Sequence, residues 1–121
     1  MIITFIGGGN MATALIKGLV DSPGLASEIR VSDPSGEARA RLASEPGVRC
    51  FASAAEAVPS SEVLVLAIKP QIMPFVLEEL PGLVDQGALV VSVAAGTTVA
   101  TLRQALGDDT AVVRTLSLIH I

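Results

Sequence analysis

The chain has 121 residues, 8 basic against 12 acidic, and a formal charge of −4. That length suits one domain with a true hydrophobic core, and an acidic chain with no basic run argues against a nucleic-acid partner. One cysteine, Cys50, excludes an internal disulfide framework and a cysteine-based zinc site, and one histidine, His120, excludes a multi-histidine metal centre or an internal histidine-based triad.

Short apolar runs alternate with helix-like stretches from the start. Ile2 to Ile6 reads as a strand, followed by a glycine cluster. Asn10 to Val20 reads as a helix, with Met11, Leu15 and Leu19 on one stripe and Gly18 beside it, where a missing side chain would let the helix approach a sheet. Asp21-Ser22-Pro23-Gly24 ends it. Ile29 to Ser32 is a second strand, Ser35 to Ser44 a polar helix, Val48 to Phe51 a short third strand, and Ser53 to Val58 a turn or two of helix. Val63 to Ile68 is apolar without alternation, as a central strand covered on both faces should be. A helix over Gln71 to Leu80, a strand over Leu89 to Val93, a helix over Val99 to Leu106 and a sixth strand opening at Ala111 complete the series.

Such alternation implies right-handed crossovers and a parallel sheet. The expected fold class is α/β, a Rossmann-type doubly wound, mostly parallel sheet with helices on both faces. Its strand order by analogy is 3-2-1-4-5-6. Half the residues are apolar but only 3 are aromatic, so Ala, Val, Leu and Ile must build the packing. The longest aliphatic runs, Val63 to Ile68 and Ala88 to Ala95, fall far short of the roughly 20 residues a bilayer requires, and the amino-terminal stretch lacks a signal peptide's basic flank. No membrane partner is expected, and the cytoplasm is the expected compartment.

Gly7-Gly8-Gly9-Asn10-Met11-Ala12 fits the pattern G-x-G-x-x-A directly between the first strand and the first helix. Gly7 permits the tight turn, Gly9 admits a pyrophosphate to the backbone, and Ala12 lets the helix pack close to the strand. The helix start offers unpaired N–H groups to phosphate oxygens. The second strand ends in Ser32-Asp33-Pro34-Ser35, and Asp33 lies 24 residues beyond Gly9. An acid there can bind the adenosine ribose of NAD, while Ser32, Ser35 and Arg39 can accept the 2′-phosphate of NADP. Asp33 or Ser35 can equally cap the next helix, so the choice between NAD and NADP stays open. Beyond the fourth and fifth strands, Ala67, Lys69 and Pro70, and Ala94, Ala95 and Gly96, stand where the rest of a dinucleotide would run.

Three blocks carry a resemblance to pyrroline-5-carboxylate reductases: Phe5 to Ala12, Leu66-Ala67-Ile68-Lys69-Pro70-Gln71, and Ser92 to Thr97 with the following Leu102. The likeness runs from Met1 to about Arg114. It implies reduction of the small-molecule substrate 1-pyrroline-5-carboxylate to L-proline with NADP(H) or NAD(H). It places Gly7, Gly8, Gly9, Asn10, Met11 and Ala12 at the pyrophosphate, and Ser32, Asp33 and Ser35 at the adenosine end. Ala67, Lys69, Pro70, Ala94, Ala95 and Gly96 would line the nicotinamide side. No residue of this chain is assigned a catalytic role.

The chain departs from the family at Ala54, where members often have Asn, and after Arg114, where Thr115 to Ile121 replaces the usual Met-Pro-Asn-Thr-Pro. The expectation is a cofactor domain over 1–114 and an atypical tail over 115–121, read as truncation or read-through or, alternatively, as a natural sixth strand. The family's helical second domain, which makes the homo-oligomer and the imine pocket, lies outside the sequence. Competing readings are another reductase with a similar first domain, of the F420-dependent or β-hydroxyacid dehydrogenase type, and a non-enzymatic nucleotide sensor.

Overall fold

The computed structural model describes residues 1–22, 24–85, 87–93, 99–107 and 111–114. The strands are β1 (Ile2–Ile6), β2 (Glu28–Ser32), β3 (Val48–Phe51), β4 (Val63–Leu66), β5 (Leu89–Ser92) and β6 (Ala111–Arg114). The helices are α1 (Asn10–Val20), α2 (Gly36–Ala43), α3 (Ala54–Ala57), α4 (Met73–Glu79) and α5 (Val99–Leu106). All strand pairs are parallel, as the alternation implied, and the order is β3-β2-β1-β4-β5-β6, the one expected by analogy. Residues 94–96 and the tail 115–121, with His120, lie outside the described residues.

The sheet separates two apolar layers. On one face, Ile3, Phe5, Ile29, Val31 and Val65 pack against Ala12 and Ile16 of α1 and Leu42 of α2. On the other, Ile6, Leu64, Leu66 and Val90 pack against α3, α4 and α5 through Ala54, Met73, Leu77 and Leu102. Alternate residues of one strand feed opposite layers, so a central strand must be apolar throughout. β1 makes one exception. Thr4 is fully buried, and its hydroxyl meets the Ser61 hydroxyl and the Ala57 carbonyl.

Some boundaries, and the buried face of α1, differ from the sequence reading. α4 begins at Met73 rather than Gln71, because Pro74 has no N–H and fits only a helix's first turn. Residues 69–72 form a turn, in which the Lys69 carbonyl accepts from the N–H groups of Ile72 and Met73. β4 stops at Leu66, where its neighbour β1 gives way to the glycine turn. The buried stripe of α1 is Ala12 and Ile16, with Leu15 and Leu19 partly covered and Met11 42% exposed. Gly18 does not serve close approach, since a Cβ there would meet nothing within 4 Å. It borders an apolar groove of about 420 Å³ between α1 and the β4–β5 face, lined by Leu15, Leu19, Val63, Val65, Val91 and Val93.

Candidate functional site

The site begins where β1 runs out. Gly7 adopts φ +102°, a region that side chains avoid, and donates its N–H to the Ser32 carbonyl at 2.9 Å. A Cβ on Gly7 would stand 2.3 Å from the Ala67 carbonyl oxygen. Gly7 is therefore fixed by its turn and by the end of β4. Gly9 is different. Its φ is −79° and a Cβ built there meets nothing within 4 Å. The first glycine serves the fold, whereas the third leaves bare backbone before open space. No side chain caps α1, so its first-turn N–H groups stay available to an anion.

Asp33 closes the second side. Its Oδ2 accepts from the Gly8 N–H at 2.7 Å and its Oδ1 from the Ser35 N–H at 2.8 Å. Ser35 caps α2, its Oγ accepting from the Ala38 N–H at 3.3 Å. Arg39 donates to the Asp33 carbonyl and Arg41 to the Gly8 carbonyl, each at 2.8 Å. Two guanidinium groups from α2 thus stand beside the glycine turn and the end of β2, each with further donors to offer. Nearby, burial pushes the Cys50 thiol up from its ordinary value, with Arg39 opposing.

These elements border a cleft of about 500 Å³ at the carboxyl ends of β1, β2 and β4. Of the expected residues, Gly7, Gly8, Gly9, Ser32, Asp33, Ala67 and Lys69 line it. Asn10, Met11, Ser35 and Pro70 lie outside its lining, and Ala12 is on the buried face of α1. On the opposite wall stand Ala54 and Ile68, both in places the sequence reading had marked, with Ala52, Ser53 and four residues around α4 that it missed: Ile72, Phe75, Val76 and Glu79. A signal was present. Positions 72, 75, 76 and 79 follow i, i+3, i+4, i+7, a second stripe beside the buried Met73, Leu77 and Leu80. Phe75 is 70% exposed and Ile72 46%, apolar surface suited to the face of a flat ring. Glu79, which reads from sequence as solvated surface, places a carboxylate at the end of this wall.

Open backbone at a helix start, an acid and two arginines after β2, and an apolar wall at the β1–β4 reversal define a Rossmann-type dinucleotide-binding domain. Residues 2–96 match the family model described as NADP oxidoreductase, coenzyme F420-dependent. The chain belongs to that family. Over 112 residues it is 45% identical to a pyrroline-5-carboxylate reductase of Pseudomonas aeruginosa, covering 93% of this chain and 41% of that one. It is 42% identical over 118 residues to the enzyme of that name from Pasteurella multocida, covering 94% and 42%. Among solved structures, a pyrroline-5-carboxylate reductase from Coxiella burnetii superposes with TM-score 0.85 at 33% identity, covering 93% of this chain and 42% of that one. The chain thus spans about two fifths of the length of the relatives it matches.

Proposed function

We propose that residues 1–114 are the cofactor-binding domain of a pyrroline-5-carboxylate reductase, which reduces the cyclic imine 1-pyrroline-5-carboxylate to L-proline. The observation that carries this reading is the glycine-turn cleft in a chain 45% identical to a protein of that name. NADP(H) is the proposed cofactor, with NAD(H) second, in keeping with the family's description and the two arginines beside the glycine turn and the end of β2. When bound, the dinucleotide supplies the hydride for the imine carbon. The chain's own residues bind and orient. The backbone at Gly9 and the start of α1 meet the pyrophosphate. Ile72, Phe75 and Val76 flank the adenine, and Ala67 and Lys69 border the nicotinamide end.

The imine pocket and the homo-oligomeric contacts fall to the polypeptide that gives the relatives their greater length. The apolar groove beside α1 supports this part of the reading, because it offers a seat for further chain. The cytoplasm is the proposed location. No helix among the described residues is long and apolar enough to cross a membrane.

Calorimetric titration of the 121-residue chain with NADPH and NADH tests the foundation. Binding of NADPH is expected, and binding of neither nucleotide refutes the reading. The chain by itself should show no imine reduction, whereas a protein of the relatives' full length should. The family's description also names coenzyme F420. Turnover of F420, and not of the imine, by the full-length protein would move the assignment to that second reading.

A further inference from the structure

The crossovers of this sheet leave one place open. β1 to β3 step in one direction and carry α1 and α2 on one face, whereas β4 to β6 step the other way and carry α4 and α5 on the opposite face. α3, between β3 and β4, packs on that second face too. No crossover among the six strands therefore reaches the α1 face of β4 and β5. That is where the groove of about 420 Å³ lies, and none of its lining residues is charged. Strands stand about 4.8 Å apart, so the strip over β4 and β5 is about 10 Å wide, the width of one helix. Gly18 forms part of its α1 side. Glycine is the poorest helix former after proline. Yet Gly18 sits within α1 without a positive φ, and a Cβ on it would meet nothing within 4 Å. Neither the backbone nor any described neighbour calls for glycine there.

We propose that the groove seats an amphipathic helix from the polypeptide that follows β6 in a protein of the relatives' length, and that Gly18 is where this helix comes closest to α1. The inference rests on reading the chain as one domain of a longer reductase, and adds the form and place of the segment that joins it. β6 is the neighbour of β5 and runs parallel to it, so a chain leaving β6 is one strand from the groove. A helix returning from that end runs antiparallel to the strands, as α1 does, and lies alongside α1 in the same layer. The relatives are more than twice as long as the stretch they share with this chain, which leaves ample polypeptide to supply it. The apolar stripe of the helix meets Val65 and Val91 below and Leu15 and Leu19 at the side, with a large apolar side chain over Gly18.

Gly18→Ala and Gly18→Leu, made in the 121-residue chain and in a protein of the relatives' length that carries it, test this by thermal unfolding. In the 121-residue chain alanine should raise the midpoint by about 3 °C, and leucine should not lower it. In the longer protein both side chains press on the seated helix. Alanine should then give no rise, and leucine should lower the midpoint by about 5 °C or more. Equal shifts in the two proteins overturn the proposal. A leucine penalty already present in the 121-residue chain overturns it as well. If that penalty vanishes on removal of 115–121, the groove belongs to that segment, and if it comes with a dimer in sedimentation, the groove belongs to a second copy. Titration with NADPH keeps the groove apart from the dinucleotide reading. Gly18 is not part of the cleft lining, so Gly18→Leu should leave NADPH affinity unchanged. If neither chain binds NADPH, the dinucleotide reading falls while the unfolding comparison still decides the groove. If both bind and the shifts are equal, the groove proposal falls alone.

Discussion

Gly7 and Gly9 share a motif but not a reason. At Gly7 the backbone is left-handed and a Cβ would meet the Ala67 carbonyl at 2.3 Å. Gly7→Ala should therefore destabilise the fold by about 2–4 kcal/mol, through strain and displacement of the β4 end. Gly9→Ala should change stability by less than about 0.5 kcal/mol, since its φ is ordinary and its surroundings open. Nucleotide binding should nonetheless be lost in Gly9→Ala, because the added methyl stands where phosphate must approach. Thermal unfolding and titration of the two variants separate the roles, and equal destabilisation would refute the distinction. Glu28 gives a residue-scale prediction in pH. Hydrogen bonds from Arg49 and then Arg30 hold its carboxyl below the ordinary value of 4.5. Between the two values the unfolded chain binds more protons at this site, so stability rises with pH there. The contribution is present above about pH 4.5 and is lost as pH falls through the depressed value. Glu28→Gln should flatten the acid limb of a stability-against-pH curve and leave its slope near neutrality unchanged.

At the scale of elements, polar side chains join parts that apolar packing leaves open. Thr4 on β1 reaches the segment after α3, meeting Ser61 and the Ala57 carbonyl, which also accepts from Ser61 and from Arg30. These groups share acceptors, so their removal should not add. Thr4→Val and Ser61→Ala should each cost about 1 kcal/mol, and the double variant less than the sum. Denaturant unfolding of the four proteins in the cycle measures this, and strict additivity would show independent bonds. A Thr inside an apolar run gives no hint in sequence of its distant partner. The same limit explains what the motif reading of the cleft could and could not reach. Its glycine side, Gly7 to Gly9 with Asp33, was legible because a local strand-turn-helix motif carries its own geometry. Its α4 wall depends on where a helix lies after a turn, and Pro74 moves that start by two residues from the boundary that periodicity suggested. Asp33 was legible as either ligand or cap. Only the fold brings its carboxylate against Gly8, 25 residues away in the chain.

At the scale of the whole molecule, the described residues cover the sheet unequally. α3, α4 and α5 close the layer that holds Leu64, Leu66 and Val90. On the other face α1 and α2 cover the β1 side, and the groove remains over β4 and β5. The parallel sheet was legible in the alternation of elements and its strand order by analogy, but this asymmetry was not, because the apolar residues of β5 look alike in sequence on both faces. Val90 and Val91 are neighbours of one kind on one strand. Val90 is fully buried under the helices, whereas Val91 lines the groove. Truncating Val90 removes two methyl groups from a closed layer and should cost about 2–3 kcal/mol once the cavity is included. Val91→Ala leaves no enclosed cavity and should cost less than about 1 kcal/mol in the 121-residue chain. In a protein of the relatives' length, further chain seated in the groove should bring the cost of Val91→Ala up towards that of Val90→Ala. Denaturant melts of both variants in both proteins decide the matter. Equal costs already in the 121-residue chain would mean that something covers this face in solution without the additional polypeptide.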